Sequence, residues 1–160
     1  MPFVPASFQV PTTLDTAEFR LRMLSVNDVV KDFDAVVSST AHLKAVFPDG
    51  RWPDGLTLEQ NLVDLGWHQK EFQMRRSFAY TVVDPAEARV LGCVYINPSS
   101  RRGHDAEVTL WARQSELASG LESRLHQAVR QWIVREWPFA AAAFPGRDIG
   151  WTQWQALPVA

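Results

Sequence analysis

Asp64, His68 and Glu71 fall at spacings of four and three within LEQNLVDLGWHQKEFQMR. On a helix those intervals bring the three side chains to one face. Such a trio can hold a metal ion or activate a nucleophile; it is also the ordinary composition of a solvated face with an ion pair. Glu107 is a carboxylate inside the alternating run AEVTLWA, on the face it shares with Thr109 and Trp111, a position costly to bury without a partner. The single cysteine, Cys93, lies in the apolar run VLGCVYI, which suits an inert buried thiol better than a nucleophile. Arg101, Arg102 and His104 form a short basic loop. Of seven tryptophans, Trp111, Trp132, Trp137, Trp151 and Trp154 fall in the last third, where large planar side chains must fill a core or wall a pocket. Trp151 and Trp154, with Trp52 and Trp67, could wall a pocket for an aromatic or cationic ligand.

Three helix starts read as capping boxes: Ser25 with Asp28, Thr57 with Gln60, and Ser119 with Glu122. The third opens GLESRLHQAVRQWIVREW, where Leu121, Leu125, Ala128, Val129, Trp132 and Ile133 make one apolar stripe. SFAYTVV and AEVTLWA alternate as one-sided strands, and VLGCVYI between them is apolar on both faces, as befits the middle of a sheet covered by helices. DPAEAR joins the first two of these as a hairpin. FRLRML and FAAAAF suit outer strands. The order is therefore β, α, α, β, β, β, α, β, which predicts an α+β domain: a mixed, mostly antiparallel sheet with helices on both faces. FPDGRWPDGL and NPSSRRGHD read as loops, and the tail PGRDIGWTQWQALPVA has no clear helix start.

The chain has 160 residues, 46% of them hydrophobic and 21% charged, which suits one globular domain able to bury a core without disulfides or a structural metal. A net charge of −2 offers phosphate backbones no general attraction, so nucleic acid is not expected as a partner. No apolar run approaches the roughly 18 residues of a membrane span, and the first residues lack a basic segment followed by an apolar one, so the expected location is the cytoplasm.

The element order, with LGCVYINPS followed by DAEVTLWARQSELASGLESRL, resembles the GNAT superfamily of acyl-CoA-dependent N-acyltransferases over about residues 17–145, leaving 146–160 as a Trp-containing tail of the same single domain. The resemblance implies a three-layer α/β/α arrangement, acetyl-CoA as co-substrate, and transfer of an acetyl group to a primary amine of a small molecule or peptide. In that family the strand matching AEVTLWA splays from its neighbour, and its free backbone pairs with the pantetheine arm; Leu110, Trp111 and Ala112 would supply it. The following loop binds pyrophosphate on helix N-terminal amides. Here that loop is LASGLE: Ser119, Gly120 and Leu121 would carry the amides, but Leu117 stands where the family has Gln or Arg and Glu122 where it has a small residue. Arg113, Gln114 and Arg124 are nearby donors that could compensate. Glu107 is the expected general base, beside the thioester path. Asp64, Trp67 and His68 are expected on the acceptor side, which the first two helices overhang. The family's Tyr after the last strand, which reprotonates the thiolate, has no counterpart. These departures leave two alternatives open: a silent acyl-CoA binder, or an interaction domain with a Trp-rich contact surface. The shortened sheet end invites association with a second copy.

Overall fold

A computed structural model describes residues 1–160. Six strands, β1 (Thr13–Asp15), β2 (Arg20–Met23), β3 (Phe78–Val83), β4 (Val90–Pro98), β5 (Ala106–Ala112) and β6 (Ala142–Ala143), form one sheet in sequential order. All pairs are antiparallel except β5 with β6, which is parallel. The five helices are α1 (Val29–Val37), α2 (Thr40–Val46), α3 (Leu58–Gln73), α4 (Leu121–Glu136) and α5 (Trp151–Ala156).

Strand alternation divides the interior into two cores. On one face Val94 and Ile96 of β4 and Val108, Leu110 and Ala112 of β5 meet Leu121, Leu125, Val129, Trp132 and Ile133 of α4. On the other, Cys93 and Trp111 meet Ala35 and Val36 of α1, Leu43 of α2 and Leu65 of α3. The three-layer α+β arrangement expected from sequence is the one observed. Trp132 and Trp137 belong to the α4-side core, where Tyr80, Trp132 and Trp137 meet edge to face at centroid separations of 5.0–6.2 Å. The N-terminal arm joins them through Val4, Phe3 and Phe8. No helix is long and apolar enough to cross a membrane.

The capping boxes at Ser25 and Thr57 form as expected. The one at Ser119 does not. Gly120 is the N-cap of α4 with φ +79°, no side chain caps the helix, and the Ser119 hydroxyl donates instead to the Glu116 carbonyl at 2.8 Å. Glu122 is thereby freed to leave its own helix. The helix expected from Ser25 onward opens as a 3-10 turn (Val26–Asp28), continues as α1, and breaks before α2, because Ser38 bonds back to Asp34 and Ala35 while the Ser39 hydroxyl accepts from the Gln114 amide. FAAAAF contributes only two residues of strand: the Asp105 carboxylate takes the amides of Ala140 and Ala141, and past Ala143 the chain turns away. The tail, unassigned from sequence, supplies α5. AEVTLWA is one-sided only as far as Thr109, since Trp111 is fully buried.

Candidate functional site

The parallel pairing of β5 with β6 covers only Ala106–Ala142 and Glu107–Ala143. Beyond it the strands part, and a slot of about 270 Å³ opens between Thr109 and Leu110 of β5, His42, Ala45 and Val46 of α2, Glu122 of α4 and the turn 145–147. By contrast β4 and β5 are paired along their full length, Gly92–Ala112 to Pro98–Ala106. Backbone groups alternate sides along a strand, so Leu110 and Ala112 face the slot and Trp111 faces β4. Trp111 therefore cannot offer its backbone to a ligand in the slot, contrary to the sequence expectation; its indole instead donates to the Tyr95 hydroxyl at 3.1 Å.

The two open backbone groups are satisfied within the chain. The Ala112 amide donates to Glu122 Oε2 at 2.9 Å, and the Leu110 carbonyl accepts from Arg147 Nη2 at 2.8 Å. Arg147 and Glu122 pair with each other at 3.1 Å, and His42 Nε2 also meets Glu122. Together they present an acceptor and a donor to the strand edge as an extended amide ligand would. Burial alone would raise the Glu122 carboxyl, but the Ala112 amide, His42 and Arg147 outweigh it and hold it below its usual range. Gly146, with φ +80°, lets Trp151 close the slot: a Cβ there would come within 2.5 Å of the indole, whose N–H donates to the Val46 carbonyl.

The loop before α4 retains the left-handed Gly120, but its nearest cation is engaged. Arg124 Nη1 donates to the Ser119 carbonyl at 2.6 Å, and its other nitrogens grip Glu18. Arg113 and Gln114 do not reach the loop as phosphate donors. Arg113 donates to the Val90 carbonyl and Asp34, and the Gln114 side chain accepts from the His42 amide. The slot thus presents a backbone edge of the kind an extended amide ligand pairs with, and the Glu122–Arg147 pair occupies it.

On the α1–α3 side a second cavity, of about 350 Å³, is lined by Asp32, Val36, Phe47, Trp52, Asn61, Asp64, Leu65, Trp67, His68 and Leu24, with Tyr95, Asn97 and Thr109 from the sheet. Phe47 and Thr109 line both spaces, so the slot and the cavity adjoin. Asp64, Trp67 and His68 thus come together as the sequence suggests. Burial raises Asp64 and lowers His68, each partly opposed by the other. Glu71 turns to Arg76 at 3.5 Å and lines neither space. Glu107, paired across the sheet with Asn97, also lines neither; its Oε2 accepts from the amide and hydroxyl of Ser100 at 2.9 and 2.8 Å.

Two polar residues of the cavity escaped the sequence reading. Asp32 is only 4% exposed, accepts from Asn61 Nδ2 at 2.9 Å, and is pushed up to about 6 by burial, with the charges of Asp28 and Asp64 adding and the Asn61 bond opposing. The signal was in the spacing: Asp32 occupies the inward stripe of Val29, Asp32 and Val36, and Asn61 that of Asn61, Leu65 and His68. Of the tryptophans expected to wall a pocket, Trp52 and Trp67 line this cavity, Trp151 walls the slot, and Trp154 is buried against His104 at 5.2 Å. Trp67 is more than half exposed, but Trp111, Trp132, Trp137 and Trp154 are buried, so the indoles form no common contact surface. Cys93 is buried, which raises its thiol far above the usual range, as expected of an inert side chain.

No protein-family model and no curated sequence matches the chain. Solved structures do. A ribosomal-protein-S5-alanine acetyltransferase from Vibrio fischeri superposes with a TM-score of 0.61 at 17% identity, over 77% of this chain and 67% of that one. The ribosomal L7/L12 alpha-N-protein acetyltransferase RimL, solved with coenzyme A, gives 0.61 at 18%, over 79% and 67%. The microcin C7 self-immunity acetyltransferase MccE, solved with acetyl-CoA and AMP, gives 0.56 at 10%, over 78% and 67%. The chain spans 65–67% of the length of such structures. At these identities the likeness establishes the fold: this chain has the GNAT fold.

Proposed function

We propose that the chain is an N-acyltransferase that moves an acetyl group from acetyl-CoA to a primary amine where the slot meets the cavity. The observation that carries this reading is the junction at Phe47 and Thr109: an opened strand edge suited to an amide-bearing arm adjoins an acidic, aromatic-walled space suited to an amine. The amine nitrogen attacks the thioester carbonyl carbon, the C–N bond forms and the C–S bond breaks. The proton released by nitrogen passes to a cavity carboxylate, Asp32 or Asp64, directly or through water. Thiolate leaves and takes a proton from water or from His42 in the slot. Glu107, proposed from sequence as the base, serves in this reading to fix the Ser100 turn that follows β4. Leu110 and Ala112 provide the strand edge, and Ser119, Gly120, Leu121 and Arg124 the phosphate end, once Glu122 and Arg124 exchange their internal partners for the ligand.

The test is incubation with acetyl-CoA and a panel of primary amines and peptides, following free thiol release and acetylated product by mass. Stoichiometric appearance of both is expected; thiol release that no amine accelerates contradicts transfer. The Glu122–Arg147 pair in the slot specifically favours a second reading, a silent acyl-CoA binder. Acetyl-CoA binding without turnover across the panel selects it.

A further inference from the structure

Asp32 is the most deeply buried carboxylate of the chain, and the other two buried ones each have an arginine: Asp28 pairs with Arg22 at 2.8 Å, and Glu71 with Arg76 at 3.5 Å. The slot carboxylate Glu122 likewise has Arg147. Asp32 has none, and its one hydrogen bond comes from a neutral amide, that of Asn61. The charged groups that act on it are negative, Asp28 from the preceding turn and Asp64 from α3. Neither lysine nor arginine lines the cavity. Buried carboxylates are ordinarily matched by a cation, and no lysine, arginine or histidine is bonded to Asp32 here.

The walls say what kind of cation fits. Phe47 lies edge-on to Trp52 and to Tyr95 at 5.9 and 6.3 Å, and His68 leans on Tyr95 at 5.3 Å. Ring faces attract ammonium groups and pack apolar bodies. A cavity of about 350 Å³ lies at the small end of the range for small-molecule sites. We infer that this cavity takes a primary amine with an apolar or aromatic body and no carboxylate beside the nitrogen, its ammonium received by Asp32. An α-amino acid zwitterion would bring a carboxylate next to Asp32 and Asp64 with no lysine or arginine to meet it, and burial disfavours the charged form of His68, the remaining basic side chain of the cavity. The assignment rests on the acyltransferase reading for its chemistry, but its binding part stands without acetyl-CoA.

The experiment is calorimetric titration of phenethylamine, phenylalanine and a tripeptide amide with phenylalanine at its N-terminus into the whole chain without acetyl-CoA. Asp32→Asn and Asp64→Asn variants are titrated alongside, with thermal unfolding to verify that each is folded. Phenethylamine should bind at least tenfold more tightly than phenylalanine, and Asp32→Asn should lose at least tenfold in phenethylamine affinity. A tripeptide amide that binds as tightly as phenethylamine supports the same chemistry at a peptide terminus. Equal binding of phenethylamine and phenylalanine, no binding of phenethylamine at millimolar concentration, or unchanged affinity in a folded Asp32→Asn chain overturns the assignment. Phenethylamine binding that depends on Asp32 but yields no acetyl transfer supports this inference and contradicts the transferase reading.

Discussion

Asp32 and Glu122 are both shielded carboxylates, and their surroundings drive them in opposite directions. A carboxyl held near 6 rather than at its ordinary 3.8 binds a proton in the folded chain that the unfolded chain has already lost. That contribution to stability is therefore present at low pH and disappears as pH rises from 3.8 through about 6. Asp32→Asn should remove the buried charge, keep the Asn61 contact and raise thermal stability at pH 7, by at most about 3 kcal/mol at roughly 1.4 kcal/mol per pKa unit, while slowing transfer. A lower melting temperature would contradict this account of Asp32. In the unsubstituted chain kcat/KM for transfer should rise with pH through about 6 as Asp32 ionises, and a profile flat from pH 5 to 7 would contradict its role. Glu122 has the reverse sign, since a depressed carboxyl stabilises above its unfolded value and the contribution is lost as pH falls. Because the side chain competes with an amide ligand for Ala112, Glu122→Ala should tighten acetyl-CoA binding about tenfold while lowering the melting temperature, in keeping with about 1.5–3 kcal/mol for a charge-assisted hydrogen bond. A loss of affinity would show that Glu122 holds the ligand rather than excluding it. Asp64, Trp67 and His68 were legible because helical spacing groups them. Asp32 was passed over because a carboxylate on an apolar stripe looks like an interruption of the pattern rather than part of a site.

At the scale of elements, the site depends on three departures from regular structure: the parting of β5 from β6, the break between α1 and α2, and the turn that carries Arg147 back to the slot. Alternation and capping made α3, α4 and strands β3 to β5 readable, since those elements bury one stripe or one face along their length. The breaks were not readable, because tertiary partners create them: Ser39 accepts from Gln114, and the first residues of FAAAAF lose their amides to Asp105. The capping box at Ser119 was misread for the same reason, since Ala112, His42 and Arg147 outbid the helix end for Glu122. Gly146 is where the turn is most exacting. Gly146→Ala combines a left-handed backbone with a Cβ 2.5 Å from the Trp151 indole, and should destabilise the chain by about 1–3 kcal/mol and shift tryptophan fluorescence as Trp151 leaves the slot wall. Unchanged melting and emission would contradict this packing.

Across the whole molecule the sheet separates support from chemistry. The α4 face carries the packed core that holds Trp132 and Trp137, and the cavity with Asp32 lies on the α1–α3 face, adjoining the slot along β5. Trp132→Ala should cost about 3–5 kcal/mol in stability and leave acetyl-CoA affinity unchanged below the unfolding transition; a parallel loss of affinity would show that the layers are not independent. A sheet covered by helices was visible in sequence because VLGCVYI is apolar on both faces, and the three-layer order is what the family resemblance implied. The internal occupant of the slot was not, because it joins residues from α2, α4 and the tail that only the folded chain brings together. The account as a whole requires an amide arm to replace Glu122 on the Ala112 backbone. The direct measurement is the Ala112 amide resonance during titration with acetyl-CoA: a saturable shift at Ala112 accompanied by release of the Arg147 side chain is predicted, and an Ala112 resonance that stays in place at saturating acetyl-CoA would contradict the account.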